Sequence, residues 1–348
     1  MLRVQGRLAA TLAALAAAGT FAGAGHAAPA PAPAVTSAAA AIRSTTLDAA
    51  GLRRLAARRW ISGRYRTASD AAVRVAISPA YASDPGAAER WAEFFASLVH
   101  GPELADLDAY IAPLSEVESI CHGEAFGCYT ANHLVTMGEG HDGVSAASVA
   151  THEYGHHVAY HRLNPPWTAI DWGTKRWATA MRVCARAAAG TAFPGAEDAR
   201  YPLNPGEAFA EAYRVLNETQ EGLPLTWTIV DPSFTPDAVA LEAIREDVLQ
   251  PWTGPTVRAI RGRFARGRRS WTLKLSVPLD GSIAIRLTGA ADDLQLLAAD
   301  GHTSLARGSW TPAGAKAIQY VDCGRRSLVL RVTRSGAARR FGLNVSVP

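Results

Sequence analysis

The sequence predicts a mixed α+β domain followed by a small all-β sandwich, on three grounds. Between residues 71 and 249, segments with apolar residues at helical spacing alternate with short β-rich runs. After Pro251 the composition shifts to alternating runs separated by turn residues. The chain has 348 residues, 48% of them hydrophobic, enough for one large or two ordinary domains, each with a core.

Residues 1–27 read as an export signal. Arg3 and Arg7 supply a positive start, Leu8 to Ala18 a short apolar run, and Gly25-His26-Ala27 a cleavage site. That run is too short to span a bilayer comfortably, and no later segment is apolar for long enough. The expectation is a secreted, extracellular protein with no stable membrane insertion after signal cleavage. Residues 28–45 are rich in Ala and Pro and read as a flexible linker, with order beginning near Thr46. Outside the cytosol thiols tend to pair. Cys121 and Cys128 enclose a short polar segment suited to a local disulfide, which leaves Cys184 and Cys323 able to join the two halves of the chain. No CxxC spacing occurs, which argues against a zinc site built from cysteines. The formal charge of +4 is small, and no basic run is dense enough for a nucleic-acid surface, so no nucleic acid is expected as a partner. Arginine outnumbers lysine 32 to 3, the coding bias of a GC-rich genome and in keeping with a bacterial origin.

The first domain is expected over residues 46–252. Ala71 to Ser78 reads as a strand and Ala87 to Val99 as an amphipathic helix. Ala109 to Ile120 is expected to be extended in part, Cys128 to Met137 to contain a strand, and Gly138 to Gly143 to turn. Ser145 to Arg162 reads as a core helix with Ser145 as its N-cap, ended by Asn164-Pro165-Pro166. Further helices are expected over Thr174 to Ala188, Glu207 to Leu216 and Pro236 to Leu249. Asn204-Pro205 starts the second of these, since a proline in the first turn lacks only an N–H that would go unsatisfied there. The β-sandwich is expected over residues 255–348, with strands at 270–277, 282–287, 327–332 and 341–347. Trp167, Trp172 and Trp177 read as core residues rather than a substrate platform.

The chemistry lies in His152-Glu153-Tyr154-Gly155-His156. On a helix, positions i and i+4 stand one above the other, so His152 and His156 can hold one metal ion. Glu153, beside the first ligand, can activate a metal-held water without ligating. A catalytic zinc usually takes three protein ligands and keeps a position open. One class of such enzymes has a third His ten residues after the first; here that position is Arg162, which excludes the class. His157 and His161 point to other helix faces. Glu207 and Glu211 share a face beside Phe209, so one carboxylate can bind the metal while the other orients a ligand imidazole through its free ring N–H. Glu207 is favoured as the ligand and Glu211 as the orienting group.

HEYGHHVAYH, followed by RYPLNPGEAFAEAYRVLN, resembles the gluzincins, and within them the catalytic domain of anthrax lethal factor and its relatives. The likeness covers about residues 70–250 and is specific around 152–161 and 201–214. It implies a zincin-like catalytic domain, with the first glutamate of the second helix, here Glu207, as third ligand to Zn2+. It also implies a tyrosine that stabilises the oxyanion. That position corresponds to Tyr201, one residue closer to the glutamate than in the family, with Tyr154 and Tyr213 as alternatives. By fold analogy, the strand around Leu134 to Met137 is expected to bind peptide by strand addition.

The function expected is therefore a secreted zinc metallopeptidase acting on a protein or peptide substrate, with Glu153 and Tyr201 as catalytic residues. Two other classes share these features: a zinc-binding protein whose β-sandwich recognises a wall polymer or a protein partner, and a zinc amidase acting on a non-protein amide. A serine triad has no GxSxG turn to sit on.

Overall fold

A computed structural model describes residues 44–348 apart from 228, 290, 291 and 338. The expected signal at 1–27, and the linker as far as residue 43, lie outside the described residues. The protein is mixed α+β with several sheets. The chain enters through a short strand, β1 (Ser44–Thr46), and a helix, α1 (Ala49–Ala57), capped by the Asp48 carboxylate. β2 (Ile61–Arg66) and β3 (Ala72–Ile77) pair antiparallel. β3 buries Val73, Val75 and Ile77 around exposed Arg74, the alternation that predicted it. α2 (Ala87–Ser97) stops two residues before the expected end, because Leu98 is already extended. β4 (Asp108–Ala112) is followed by α3 (Leu114–Cys121), a helix within the stretch expected to be partly extended; Pro113 precedes it and Val117 and Ile120 face inward. β5 (Gly127–Thr130) and β6 (His133–Met137) form a hairpin within the expected strand region.

The six strands lie in the order β1-β5-β6-β4-β3-β2, with β3, β4 and β6 parallel and β5 antiparallel to β6. β6 is thus flanked on both sides. This corrects the expectation that Leu134 to Met137 receives an added strand, since its main-chain groups are already paired to β4 and β5. The strand next to the sheet edge at this end is β5, and β1 lies on it in parallel.

α4 (Ala146–Tyr160) lies against β5 and β6, with its N-cap Ser145 hydroxyl accepting from Ser148 N at 2.9 Å. Every residue from Val149 to Ala159 is buried, so α4 is a core helix rather than an amphipathic one. A short hairpin of β7 (Leu163–Asn164) and β8 (Trp167–Thr168) follows, then α5 (Ala169–Trp172). The helix expected over 174–188 is broken into α6 (Lys175–Ala180) and α7 (Val183–Ala188) by Arg182, whose φ of 56° is left-handed. α8 (Pro205–Gln220) runs a turn beyond its expected end. Asn204 Oδ1 accepts from Gly206 N at 3.0 Å and Pro205 occupies its first turn. α9 (Ala238–Leu249) completes this part, capped by Asp237. Trp177 is fully buried, while Trp167 and Trp172 stack on each other, half-exposed.

From residue 256 onward the described residues contain strands and no helix: β9 (Thr256–Arg263), β10 (Ser270–Ser276), β11 (Gly281–Gly289), β12 (Asp293–Ala298), β13 (Ser304–Arg307), β14 (Ser309–Trp310), β15 (Lys316–Asp322), β16 (Ser327–Thr333) and β17 (Arg340–Val347). They make a four-stranded sheet, β10-β16-β12-β13, and a five-stranded one, β14-β15-β11-β17-β9. Alternate residues of both, among them Ile283, Ile285, Leu294, Leu330 and Leu343, form a core separate from that under α4. Two disulfides, Cys121–Cys128 and Cys184–Cys323, use all four cysteines, and the second joins α7 to the loop after β15. Such pairing fits an exported protein. Among the described residues no helix is long and apolar enough to cross a membrane.

Candidate metal centre

α4 and α8 come together at their middles. A Cβ built on Gly155 would lie 2.7 Å from Ala210 Cα, so the two backbones approach as closely as a glycine permits. This contact brings the His152–His156 face of α4 against the first turn of α8. His152 Nε2 lies 3.2 Å and His156 Nε2 3.4 Å from the same oxygen, Glu207 Oε2. One ligand atom from each of the three residues lies within 4.8 Å of the others, and all three are buried. His152 turns its other nitrogen, Nδ1, to Glu211 Oε2 at 3.5 Å. Arg214 holds Glu211 with two bonds, Nη2 to Oε1 at 2.6 Å and Nε to Oε2 at 2.9 Å, and also pairs with Glu218. Tyr201 donates its hydroxyl to Glu207 Oε2 at 2.7 Å.

Glu153 packs toward β5. A Cβ on Gly127 would come within 2.7 Å of Glu153 Oε1, so the absence of a side chain at 127 is what leaves room for the carboxylate. Both Glu153 oxygens are shut off from solvent and make no direct hydrogen bond among the described residues, with the Ser44 side chain close by. Burial pushes its pKa up to about 7, against the lowering pull of His152 and His156. Burial also works against charge on His152, yet the carboxylates of Glu207 and Glu211 push it up to about 10. Burial would raise Glu207, but His156 and His152 hold it well below the usual carboxylate range. Glu211 is likewise raised by burial but drawn down to about 2 by Arg214 and His152. Burial and the neighbouring Glu207 push Tyr201 well above its ordinary value, so its hydroxyl keeps its proton.

These residues fit a divalent cation. Three carboxylates are buried around two imidazoles, and among the described residues only Glu211 has a permanently charged partner. Buried charge in excess of its counter-charges is costly unless it is paired or coordinates a metal. A His/His/Glu donor set with a metal-sized separation supplies that, so the group is able to hold a metal ion.

The other candidates lie elsewhere. His157 is bonded to Tyr129 Oη at 3.0 Å and to the Glu103 carbonyl at 2.8 Å, and His161 to Asn132 Oδ1 at 2.8 Å. Tyr154 reaches Glu103 and Tyr213 the Val99 carbonyl, so Tyr201 alone of the three tyrosines touches the cluster. Arg162 bonds Glu103 Oε2 at 2.7 Å and the Asp247 and Val248 carbonyls at the end of α9. Sequence reasoning missed the cavity beside the cluster. It holds about 240 Å³ and is lined by Thr46, Tyr129, Tyr160, Asp171 and Glu197 together with His156 and Glu207. Tyr129 stacks on His156 with ring centres 6.3 Å apart. No local pattern marks these positions, because five separate segments supply them.

No family model and no curated protein matches the chain. Among solved structures, one likeness is to the pre-peptidase C-terminal domain of collagenase from Bacillus anthracis. It has 14% identity and a TM-score of 0.21, over 26% of this chain and 87% of that one. Another is to PliG of Aeromonas hydrophila, a periplasmic inhibitor of g-type lysozyme. That match has 15% identity and a TM-score of 0.15, over 25% of this chain and 92% of that one.

Proposed function

We propose that the chain is a zinc metallopeptidase of the gluzincin type, exported from a bacterial cell, with a zincin-like catalytic domain that hydrolyses peptide bonds in proteins or peptides. The observation that carries this reading is the convergence of His152 Nε2, His156 Nε2 and Tyr201 Oη on one buried oxygen of Glu207, with Glu153 alongside and otherwise unengaged. A structural ion pair has no use for an unpartnered carboxylate beside it, whereas hydrolysis needs a base.

His152, His156 and Glu207 would hold the zinc, which when bound supplies Lewis-acid polarisation and makes water a nucleophile near neutral pH. Glu153 accepts the proton of the attacking water and returns it to the leaving nitrogen as the C–N bond breaks. Tyr201, protonated, donates to the oxygen on which negative charge develops. Glu211, clamped by Arg214, faces His152 Nδ1 at 3.5 Å and is placed to orient the ring so that Nε2 would donate its lone pair to the zinc.

The test is metal content of the purified chain together with chelator-sensitive cleavage of casein. Glu153→Gln should retain metal and lose hydrolysis by about 10²-fold or more. Wild-type cleavage by that variant sinks the mechanism, and release of wall amides with casein untouched moves the activity to the amidase class.

A further inference from the structure

We propose that Ser44–Thr46 is an autoinhibitory strap, which occupies the β5 edge beside His156 and Glu207 and must leave that edge before a substrate can reach the centre. This rests on the hydrolase reading above for what the strap excludes, and on the following geometry for where it lies.

Among the described residues β1 lies at the sheet edge, paired in the register Ser44↔Gly127, Thr45↔Cys128 and Thr46↔Tyr129, and continued by Leu47 N bonding Tyr129 O at 3.1 Å. Two of those β5 positions, Gly127 and Tyr129, adjoin the site. Gly127 is the residue against which the Glu153 carboxylate packs, so Ser44 lies at the base. Tyr129 stacks on His156, so Thr46 lies beside a ligand. Thr45 and Thr46 line the cavity that opens on His156 and Glu207. On the opposite wall Thr46 Oγ1 donates to Glu197 Oε1 at 3.2 Å, so the strap is fastened to both sides of the cleft.

The fastening is light. Ser44, Thr45 and Thr46 are small and polar, and none of the three is fully buried. Among the described residues the first apolar anchor is Leu47, only 2% exposed in the main core. Ser44–Thr46 can therefore leave β5 without removing any of their own side chains from the core. What it vacates is a row of strand N–H and C=O groups, which a peptide main chain can satisfy equally well. Ser44–Thr46 anchor no apolar side chain in the core, and a segment of low local stability is the kind that opens first.

The experiment uses the full metal-loaded chain and two variants. Thr45→Pro removes a strand N–H and disfavours the pairing, and Thr46→Ala removes the bond to Glu197 while leaving the backbone intact. Three quantities are read: amide exchange at 127–130, the rate at which a chelator extracts the metal, and the rate of casein cleavage. The expected result is faster exchange in β5, with metal extraction and cleavage both raised by about ten-fold or more, as when a competent state goes from minor to dominant. Faster extraction without cleavage by any protein would keep the strap and fail the peptidase reading. Faster exchange at 127–130 with unchanged extraction and unchanged cleavage overturns the strap.

Discussion

At the scale of single residues, the division of labour between two glutamates four positions apart follows from what each touches. Glu207 offers an oxygen to both imidazoles, whereas Glu211 faces His152 through Nδ1 and is held by Arg214. Glu207→Ala should therefore abolish stoichiometric metal binding. Glu211→Ala should weaken it by about 10–100-fold, the usual effect of removing the partner that orients a ligand imidazole. Metal content and competition with a chromophoric chelator measure both, and the reverse order of loss would exchange the two roles. His152, Glu153, His156, Glu207 and Glu211 were all legible as candidates, because helical spacing puts their side chains on known faces. Tyr201 was not separable from Tyr154 and Tyr213, because a tyrosine's partner depends on which elements meet around it.

At the scale of elements, the centre depends on how closely α8 seats against α4. The glycine inside the HExxH segment, Gly155, is the contact: a Cβ there would stand 2.7 Å from Ala210 Cα and 3.0 Å from Ala210 O, both backbone atoms with little room to give. Gly155→Ala should force the helices apart and carry Glu207 away from the imidazoles. The expected result is a fall in metal affinity of about ten-fold or more, since ligand geometry tolerates about 0.5 Å. Unchanged affinity would mean that the helices are not held by this contact. The core helix α4 was readable from its Ser145 cap and its length, and the strand β3 from its β-rich run. α3 was not, as Pro113 and a short run of mixed residues gave no clear period. Nor was the break between α6 and α7, where a single left-handed Arg182 interrupts an otherwise helical composition.

At the scale of the whole molecule, the strand-only part is fastened to the helical part, not merely tethered to it. Cys184–Cys323 links them covalently, and Asp280 N donates to Thr179 Oγ1 at 3.0 Å. Lys175 is buried where they meet. Its Nζ donates to the Pro165 carbonyl at 2.9 Å and lies 5.0 Å from the Trp252 ring centre, and a Cβ on Gly281 would come within 2.5 Å of it. Asp322, fully buried next to Cys323, has Oδ2 bonded to Arg325 N while Oδ1 has no hydrogen bond. Burial, aided by the charge of Asp280 and opposed by Arg325, pushes its pKa from 3.8 up to about 6. A raised pKa means that the folded state holds the extra proton. The stabilisation is complete below 3.8 and is lost as pH rises to about 6, so stability falls across that window. Asp322→Asn should flatten this slope and raise stability at pH 7 by about 1–2 kcal/mol. Urea unfolding between pH 4 and pH 8, with disulfides intact, measures it, and an unaltered slope would place the pH dependence elsewhere.

The sequence by itself determined the local chemistry: two histidines and a glutamate on one helix, two glutamates on another, the caps at Ser145 and Asn204, and the alternating runs of the β-rich end. Each of these is set within a few residues by backbone geometry, so it can be read before any fold is known. Only the tertiary structure decided which of these pieces meet. His152 and Glu207 are 55 positions apart and are joined because a glycine lets two buried helices touch. β6 proved to be an interior strand and β5 the one at the site, which depends on strand order rather than on strand sequence. Ser44–Thr46 lies beside the same centre because the β5 edge offers main-chain groups that an extended segment can satisfy.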